Sequence, residues 1–209
     1  MRLLILIMFF FYGSSSWRFL PLKKKINSRL PKSFISISPS GFYGFYTLGI
    51  SSFIKNNYNI ENYNYLGASS GSWGSLLSCY KHDNLNLVSD LLNQDFLEKS
   101  KNAYSLQKSM SKYLLDKYET EDFNLDKLHI SLSEYNRFKL SNKVITNFTS
   151  LEDAINCCIS SSHIPLITSN KLINIYRGKI VFDGGFTKFP PTSINNTFII
   201  TSNCFNYAD

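Results

Sequence analysis

Histidine, cysteine and proline are scarce in this chain. Its 209 residues hold three histidines, four cysteines and six prolines. Cys79, Cys157, Cys158 and Cys204 lack metal-ligand spacing, and an adjacent pair is a poor disulfide framework in a chain this long. Buried free thiols are the expectation, and with them a reducing compartment. No apolar run reaches the about 20 residues that cross a bilayer as a helix. There is no internal repeat, no zinc-ligand spacing and no recognition-helix pattern, so nucleic acid is not an expected partner despite a net charge of +7. No G-x-G-x-x-G and no Walker lysine are present, so a nucleotide-phosphate cradle is not expected either.

What the chain does contain is core-forming material. Hydrophobic residues make up 44% and aromatics 15%, and the length suits one sizeable α/β domain. Leu3 to Tyr12 is an unbroken apolar run, preceded by Arg2 and followed by Gly13-Ser14-Ser15-Ser16. That is the form of a signal peptide. With Trp17, Phe19, Leu20 and Lys23-Lys24-Lys25 it is also the form of an interfacial anchor on an anionic membrane, or of a segment packed on the domain. The division expected is a signal or anchor segment over 1–20, a basic linker over 21–32 and a catalytic domain over 33–209. The protein is then membrane-associated at a cytoplasmic face, or secreted if the first segment is cleaved.

Periodicity alternates along the domain. Ser33 to Ser38 and Asn62 to Leu66 read as strands, each followed by a glycine-bearing loop and a helical stretch. Residues 83–118 read as helical, with Leu85, Leu87, Val88, Leu91, Leu92, Phe96 and Leu97 as an apolar stripe. Leu128 to Leu132 and Lys143 to Phe148 read as strands. Ser150-Leu151-Glu152-Asp153 has capping-box form and opens a helix to about Ile159. Lys179 to Phe182 and Thr197 to Thr201 are the last strands. Alternating strands and helices predict a mainly parallel sheet covered on both faces.

The chemistry centres on Gly67-Ala68-Ser69-Ser70-Gly71, which has the G-x-S-x-G spacing of a nucleophile elbow. A serine hydroxyl needs a base within hydrogen-bond reach and donors for the oxyanion formed on attack. Ser40-Gly41-Phe42-Tyr43-Gly44 can supply backbone donors at the start of a helix. For the base, His82 sits in a polar turn, His129 lies mid-strand, and His163 is the one loop histidine. Asp183, at a strand end before Gly184-Gly185, is the stronger candidate, because a carboxylate there can take the Ser69 proton directly. An ordinary Asp-Gly turn is the competing reading of that segment.

Three separated pieces resemble the patatin-like phospholipases, in the family's order: the loop Ser40 to Gly44, Gly67 to Gly71, and Asp183-Gly184-Gly185. The resemblance runs from about Phe34 to Pro191. Gly41 to Gly49, Leu128 to Leu132 and Ser161-Ser162-His163-Ile164-Pro165 look most like the adiponutrin-type branch. The resemblance implies a three-layer α/β/α fold and a Ser-Asp dyad without histidine or metal or other cofactor. Ser69 would be the nucleophile and Asp183 the base, with Gly41, Phe42 and Gly44 around the oxyanion and Gly67, Gly71, Gly184 and Gly185 shaping the motifs. It implies acyl esters of glycerolipids, phospholipid or acylglycerol, as substrates at a membrane or lipid surface. Pro39 and Ser40 stand where the family carries glycine, and Tyr43 stands where many members have Arg or Lys. Two rivals remain: a lipid-surface binding protein with little catalysis, and an esterase that uses His163 in a triad.

Overall fold

The computed structural model describes residues 33–93, 100–191 and 197–202. The expectations for 1–20 and 21–32, and those for Phe96, Leu97 and Cys204, fall outside the described residues. The strands are β1 (Ser33–Ile37), β2 (Tyr63–Ala68), β3 (Leu128–Asn136), β4 (Lys139–Ile145), β5 (Asn174–Tyr176), β6 (Lys179–Phe182) and β7 (Thr197–Ile200). The helices are α1 (Gly44–Asn57), α2 (Ser70–Ser78), α3 (Leu85–Leu91), α4 (Ala103–Lys117) and α5 (Leu151–Ser161).

Two helix starts follow local chemistry. At α5 the Ser150 hydroxyl accepts the Asp153 N–H at 3.1 Å, as the capping spacing predicts, and Glu152 and Asp153 place negative charge at the positive end of the helix. At α4, Asn102 Oδ1 accepts the Ser105 N–H while Ser105 Oγ accepts the Asn102 N–H, a reciprocal pair invisible to a search for Glu or Gln. In α3, Leu87, Val88 and Leu91 are buried, whereas Leu85 and Leu92 are exposed, so the apolar stripe is narrower than the sequence suggests.

Seven strands form one mixed sheet in the order β5-β6-β3-β2-β1-β7, with β4 also on β3. β1, β2, β3, β5 and β7 run one way, and β4 and β6 run against them. The register around β3 brings two distant strand ends together. Ile130 and Ser131 pair with β2 on one side and with β4 on the other. Ser133, Glu134 and Tyr135 pair with both β4 and β6. Strands β2 and β6 therefore share one edge of β3, end to end. β2 stops at Ala68 opposite Ser131, and β6 stops at Phe182 opposite Ser133.

Two hairpins complete the antiparallel part. The Arg177-Gly178 and Arg137-Phe138 turns both have positive φ at their two central residues, the form whose twist suits a tight hairpin. Gly178 announces the first. Arg137 and Phe138 are poor left-handed residues, which is why the sequence does not reveal that β3 runs on to Asn136 and that β4 begins at Lys139.

The core lies on one face of the sheet. Ile35, Ile37, Tyr65, Leu128, Ile130, Leu132 and Val181 pack there with Leu76 and Leu77 of α2 and Ala154, Ile155 and Cys158 of α5. The opposite face is bedded with small residues, Ser36, Ala68, Ser131 and Ser133, all fully buried. The segment 184–191 crosses that face: Thr187 Oγ1 meets Ser133 Oγ at 2.8 Å, and the Ser36 hydroxyl donates to the Pro191 carbonyl. A second helical layer on this face is not found among the described residues. Cys79, Cys157 and Cys158 are buried and free, and burial pushes the Cys79 thiol up to about 12.

Candidate active site

The meeting of β2 and β6 on one edge of β3 creates the site. Ser69 follows β2 and Asp183 follows β6, so both fall at the gap opposite Leu132. Residues 114 positions apart in sequence, 183 less 69, become neighbours through strand register alone. Asp183 is 4% exposed and Ser69 8%.

Ser69 is strained. Its φ of 54° and ψ of −130° lie where L-residues seldom go. Such a conformation costs on the order of 1–3 kcal/mol and persists only where surrounding contacts impose it. Those contacts are identifiable. The Ser69 N–H donates to Ser161 Oγ at 2.9 Å, and the Ser161 hydroxyl donates to the Ser131 carbonyl at 2.7 Å. The Ser69 carbonyl accepts from the Ser72 N–H at 2.9 Å and the Ser72 hydroxyl at 2.6 Å. Ser161, on α5, thus ties the elbow to β3. The sequence places Ser161 in a stretch of interest but carries no signal for this support.

The two glycines of the elbow allow close approach rather than an unusual turn. A Cβ on Gly67 would lie 2.1 Å from the Gly71 carbonyl oxygen, and one on Gly71 would lie 2.1 Å from the Ile37 carbonyl oxygen. Helix α2 can therefore rest its first turn directly on the backbones of β1 and β2. Gly184 obeys the same limit, since its Cβ would lie 2.2 Å from the Ser131 carbonyl oxygen. This tight fit keeps Asp183 at the gap. The carboxylate is further held as Oδ1 accepts the Gly185 N–H at 2.8 Å.

Burial raises the Asp183 pKa above the ordinary carboxylate value, and the Ser69 hydroxyl, the Gly185 N–H and His163 pull it back. Oδ2 is buried and completes no hydrogen bond of good geometry among the described residues. The Ser69 hydroxyl is near enough to bias the carboxylate, and an acceptor oxygen stays open for its proton.

The glycine loop sits against this pair. The Ser40 N–H donates to Ser70 Oγ at 2.9 Å, and the Tyr43 N–H donates to the Ser40 carbonyl at 2.9 Å. The Gly44 N–H donates to the Gly41 carbonyl, and a Cβ on Gly44 would lie 2.8 Å from Ser70 Cβ. Gly44 therefore contributes space for the loop to approach the elbow, and its N–H is already engaged. The N–H groups of Gly41 and Phe42 have no partner among the described residues. Gly41 has a φ of +54°, which glycine adopts without strain.

Neither a protein-family model nor a curated protein matches the chain.

The three histidines divide clearly. His82 is exposed, and the His129 ring packs edge-on against Phe34 at 4.9 Å. His163 is 2% exposed, its ring near Phe182 at 5.9 Å, with Nδ1 3.2 Å from Ser169 Oγ. Its carbonyl accepts the Asp183 N–H at 2.9 Å. Burial lowers its pKa, while the Leu172 carbonyl and the Asp183 charge oppose the shift. His163 thus braces the backbone of Asp183, and no hydrogen bond joins its ring to Ser69. No group of three or more His, Cys, Asp or Glu side chains gathers as a metal site among the described residues.

A cavity of about 180 Å³ opens beside Ser69. Leu48, Trp73, Leu77, Leu106, Met110 and Ile164 line it, drawn from α1, α2, α4 and the loop after α5. Phe42 and Ile167 border its mouth, being 68% and 63% exposed while also lining the cavity. The arrangement presents an apolar chamber, a strained serine, a buried carboxylate and two open backbone donors. Such a set can offer a hydroxyl a proton acceptor and an oxyanion two donors.

Proposed function

We propose that the protein is a serine lipid acyl hydrolase of patatin-like type, cleaving carboxylic esters of glycerolipids through a Ser69–Asp183 dyad. The observation that carries this reading is the end-to-end meeting of β2 and β6, which puts a strained serine beside a buried carboxylate with no histidine ring between them. Asp183 would take the Ser69 proton as the hydroxyl attacks the ester carbonyl, forming the acyl-enzyme and releasing the alcohol. Water, deprotonated by the same carboxylate, would then hydrolyse the acyl-enzyme and restore Ser69. The Gly41 and Phe42 N–H groups, at the N-terminus leading into α1, would receive the oxyanion. The mostly apolar cavity supports an acyl substrate over a polar one. The three-layer arrangement of the patatin-like fold belongs to this reading as well.

The test uses the purified 209-residue chain, a short-chain nitrophenyl ester and a fluorophosphonate probe. Hydrolysis and labelling at Ser69 are expected, and both disappear in Ser69→Ala. Hydrolysis that survives Ser69→Ala at the original rate overturns the assignment.

A second reading is a lipid-surface binding protein of the same fold with little turnover. It is favoured by the committed N–H groups of Ser40 and Gly44, which leave two donors for the oxyanion. A fluorophosphonate that fails to label Ser69 in folded protein would favour this second reading. The His163 triad has less support, since the ring nitrogens face Ser169 and the Leu172 carbonyl.

A further inference from the structure

Large apolar side chains stand exposed on two short segments at the cavity and on a third beside Asp183. On the glycine loop before α1, Phe42 is 68% and Tyr43 63% exposed. After α5, Leu166 is 69% and Ile167 63% exposed. After Asp183, Phe186 is 53% and Phe189 48% exposed. The segments are neighbours in space. Phe42 and Ile167 line one cavity, the Asp183 N–H donates to the His163 carbonyl, and a Cβ on Gly185 would lie 3.1 Å from Pro39 Cγ. Scattered exposed apolar residues need no explanation, but a cluster rimming an opening does.

The segment bearing Leu166 is built to hold its side chain outward. Leu166 has a φ of +63°, an unfavourable conformation for a leucine. Thr168 fixes it from both sides, as its Oγ1 accepts the Ile164 N–H at 2.8 Å and donates to the Ser162 carbonyl at 2.7 Å. The Ile167 and Thr168 N–H groups both reach the Ile164 carbonyl. A rigid, strained knuckle that displays two aliphatic side chains to water is costly for a free surface. Charge points the same way. Between Ser36 and Ile54, between Ile159 and Tyr176, and from Asp183 to Pro191, the one acidic residue is the buried Asp183, and Lys171 and Lys188 stand exposed.

We propose that this collar (Tyr43, Leu166 and Ile167 around Phe42) inserts into the headgroup and upper acyl region of a phospholipid bilayer, with anionic lipid favoured, so that the cavity mouth opens into the lipid. Apolar tips inserted at the interface and basic residues beside them are the two terms of interfacial binding. An acidic rim would have opposed anionic lipid, and the described residues of these segments carry no exposed acidic side chain. The inference builds on the lipid-ester reading above, but it makes a claim about orientation that holds whether or not Ser69 turns over.

The experiment uses the full chain in a Ser69→Ala, Cys204→Ser background, which removes turnover from the readout. The native thiols Cys79, Cys157 and Cys158 are buried. An environment-sensitive fluorophore is attached at Leu166→Cys, at Tyr43→Cys as a second collar position, and at Asn62→Cys as a control. Asn62 is exposed at the opposite end of β2, about 20 Å along the strand from the elbow. Vesicles of phosphatidylcholine, alone or with phosphatidylserine, are titrated in. The collar labels are expected to shift blue and to be quenched by lipid-borne quenchers, at several-fold lower lipid with phosphatidylserine present, while the control label stays unchanged. Protein that sediments with vesicles while both collar labels stay in water overturns the proposal, as does an equal response at Asn62 or an absence of vesicle binding. A shift that grows with protein concentration without lipid would assign the collar to a second copy of the chain and also overturn it.

Discussion

Ser161→Ala is the most informative single change, because Ser161 joins the strained elbow to the sheet. Its side chain is fully buried, accepts the Ser69 N–H and donates to the Ser131 carbonyl. Alanine removes both bonds and offers nothing in return. Losing the bond to Ser131 costs about 1 kcal/mol, and leaving the Ser69 N–H buried without a partner costs about 1–3 kcal/mol more. The expected destabilisation is about 2–4 kcal/mol, or a fall in melting temperature of about 5–15 °C for a chain of this size. Thermal and urea unfolding measure it. Because the same bond holds the serine in its strained conformation, fluorophosphonate labelling of Ser69 is expected to slow at least ten-fold at temperatures where the variant is folded. Melting within 1 °C of the unaltered protein, with unchanged labelling, would refute the claim that Ser161 imposes the elbow.

Three further outcomes test neighbouring parts of the site. Ser69→Gly is expected to stabilise the fold by about 0.5–2 kcal/mol while abolishing labelling, because glycine relieves the positive-φ strain at a smaller entropic cost; urea unfolding that shows destabilisation contradicts the strain. Gly71→Ala is expected to cost about 3 kcal/mol or more, since its Cβ meets the Ile37 carbonyl oxygen at 2.1 Å, whereas Gly49→Ala, with open space and a helical position, is expected to gain about 0.5–1 kcal/mol by calorimetry. Asp183 must be ionised to act as base, and burial raises its pKa, so the acid limb of kcat/KM should lie above the ordinary value of about 3.9 and vanish in Asp183→Asn. The stability sign is opposite to that of a salt-bridged carboxylate. The folded state holds this proton more tightly than the unfolded chain, so the contribution of Asp183 is full below the unfolded pKa and is lost as pH rises through the folded one.

Much of the fold was legible from spacing. The strands at β1, β2, β6 and β7 and the Ser150 cap of α5 lie within a residue or two of where local pattern puts them, because each depends on neighbours along the chain. The elbow glycines were also legible, as were the loop that faces them and the strand end carrying Asp183. The Arg137-Phe138 hairpin was not, because its left-handed residues are held by strand pairing against their own preference. The Asn102–Ser105 cap was missed for a simpler reason, since Ser105 plays the part that Glu or Gln usually plays.

Motif chemistry and family resemblance thus paired Ser69 with Asp183, but spacing along the chain does not say how the fold brings them together. That required β3 to offer one edge to two strands at once, β2 up to Ser131 and β6 from Ser133, which is a matter of long-range register. The same register turned Ser161 from one serine in a run of three into the support of the elbow. It also made Gly44 a spacer whose N–H is engaged, and moved His163 into the backbone bracing of Asp183. Side-chain type and spacing are written along the chain. Which backbone groups remain free, and which hydroxyl meets which carboxylate, depend on contacts between segments a hundred residues apart.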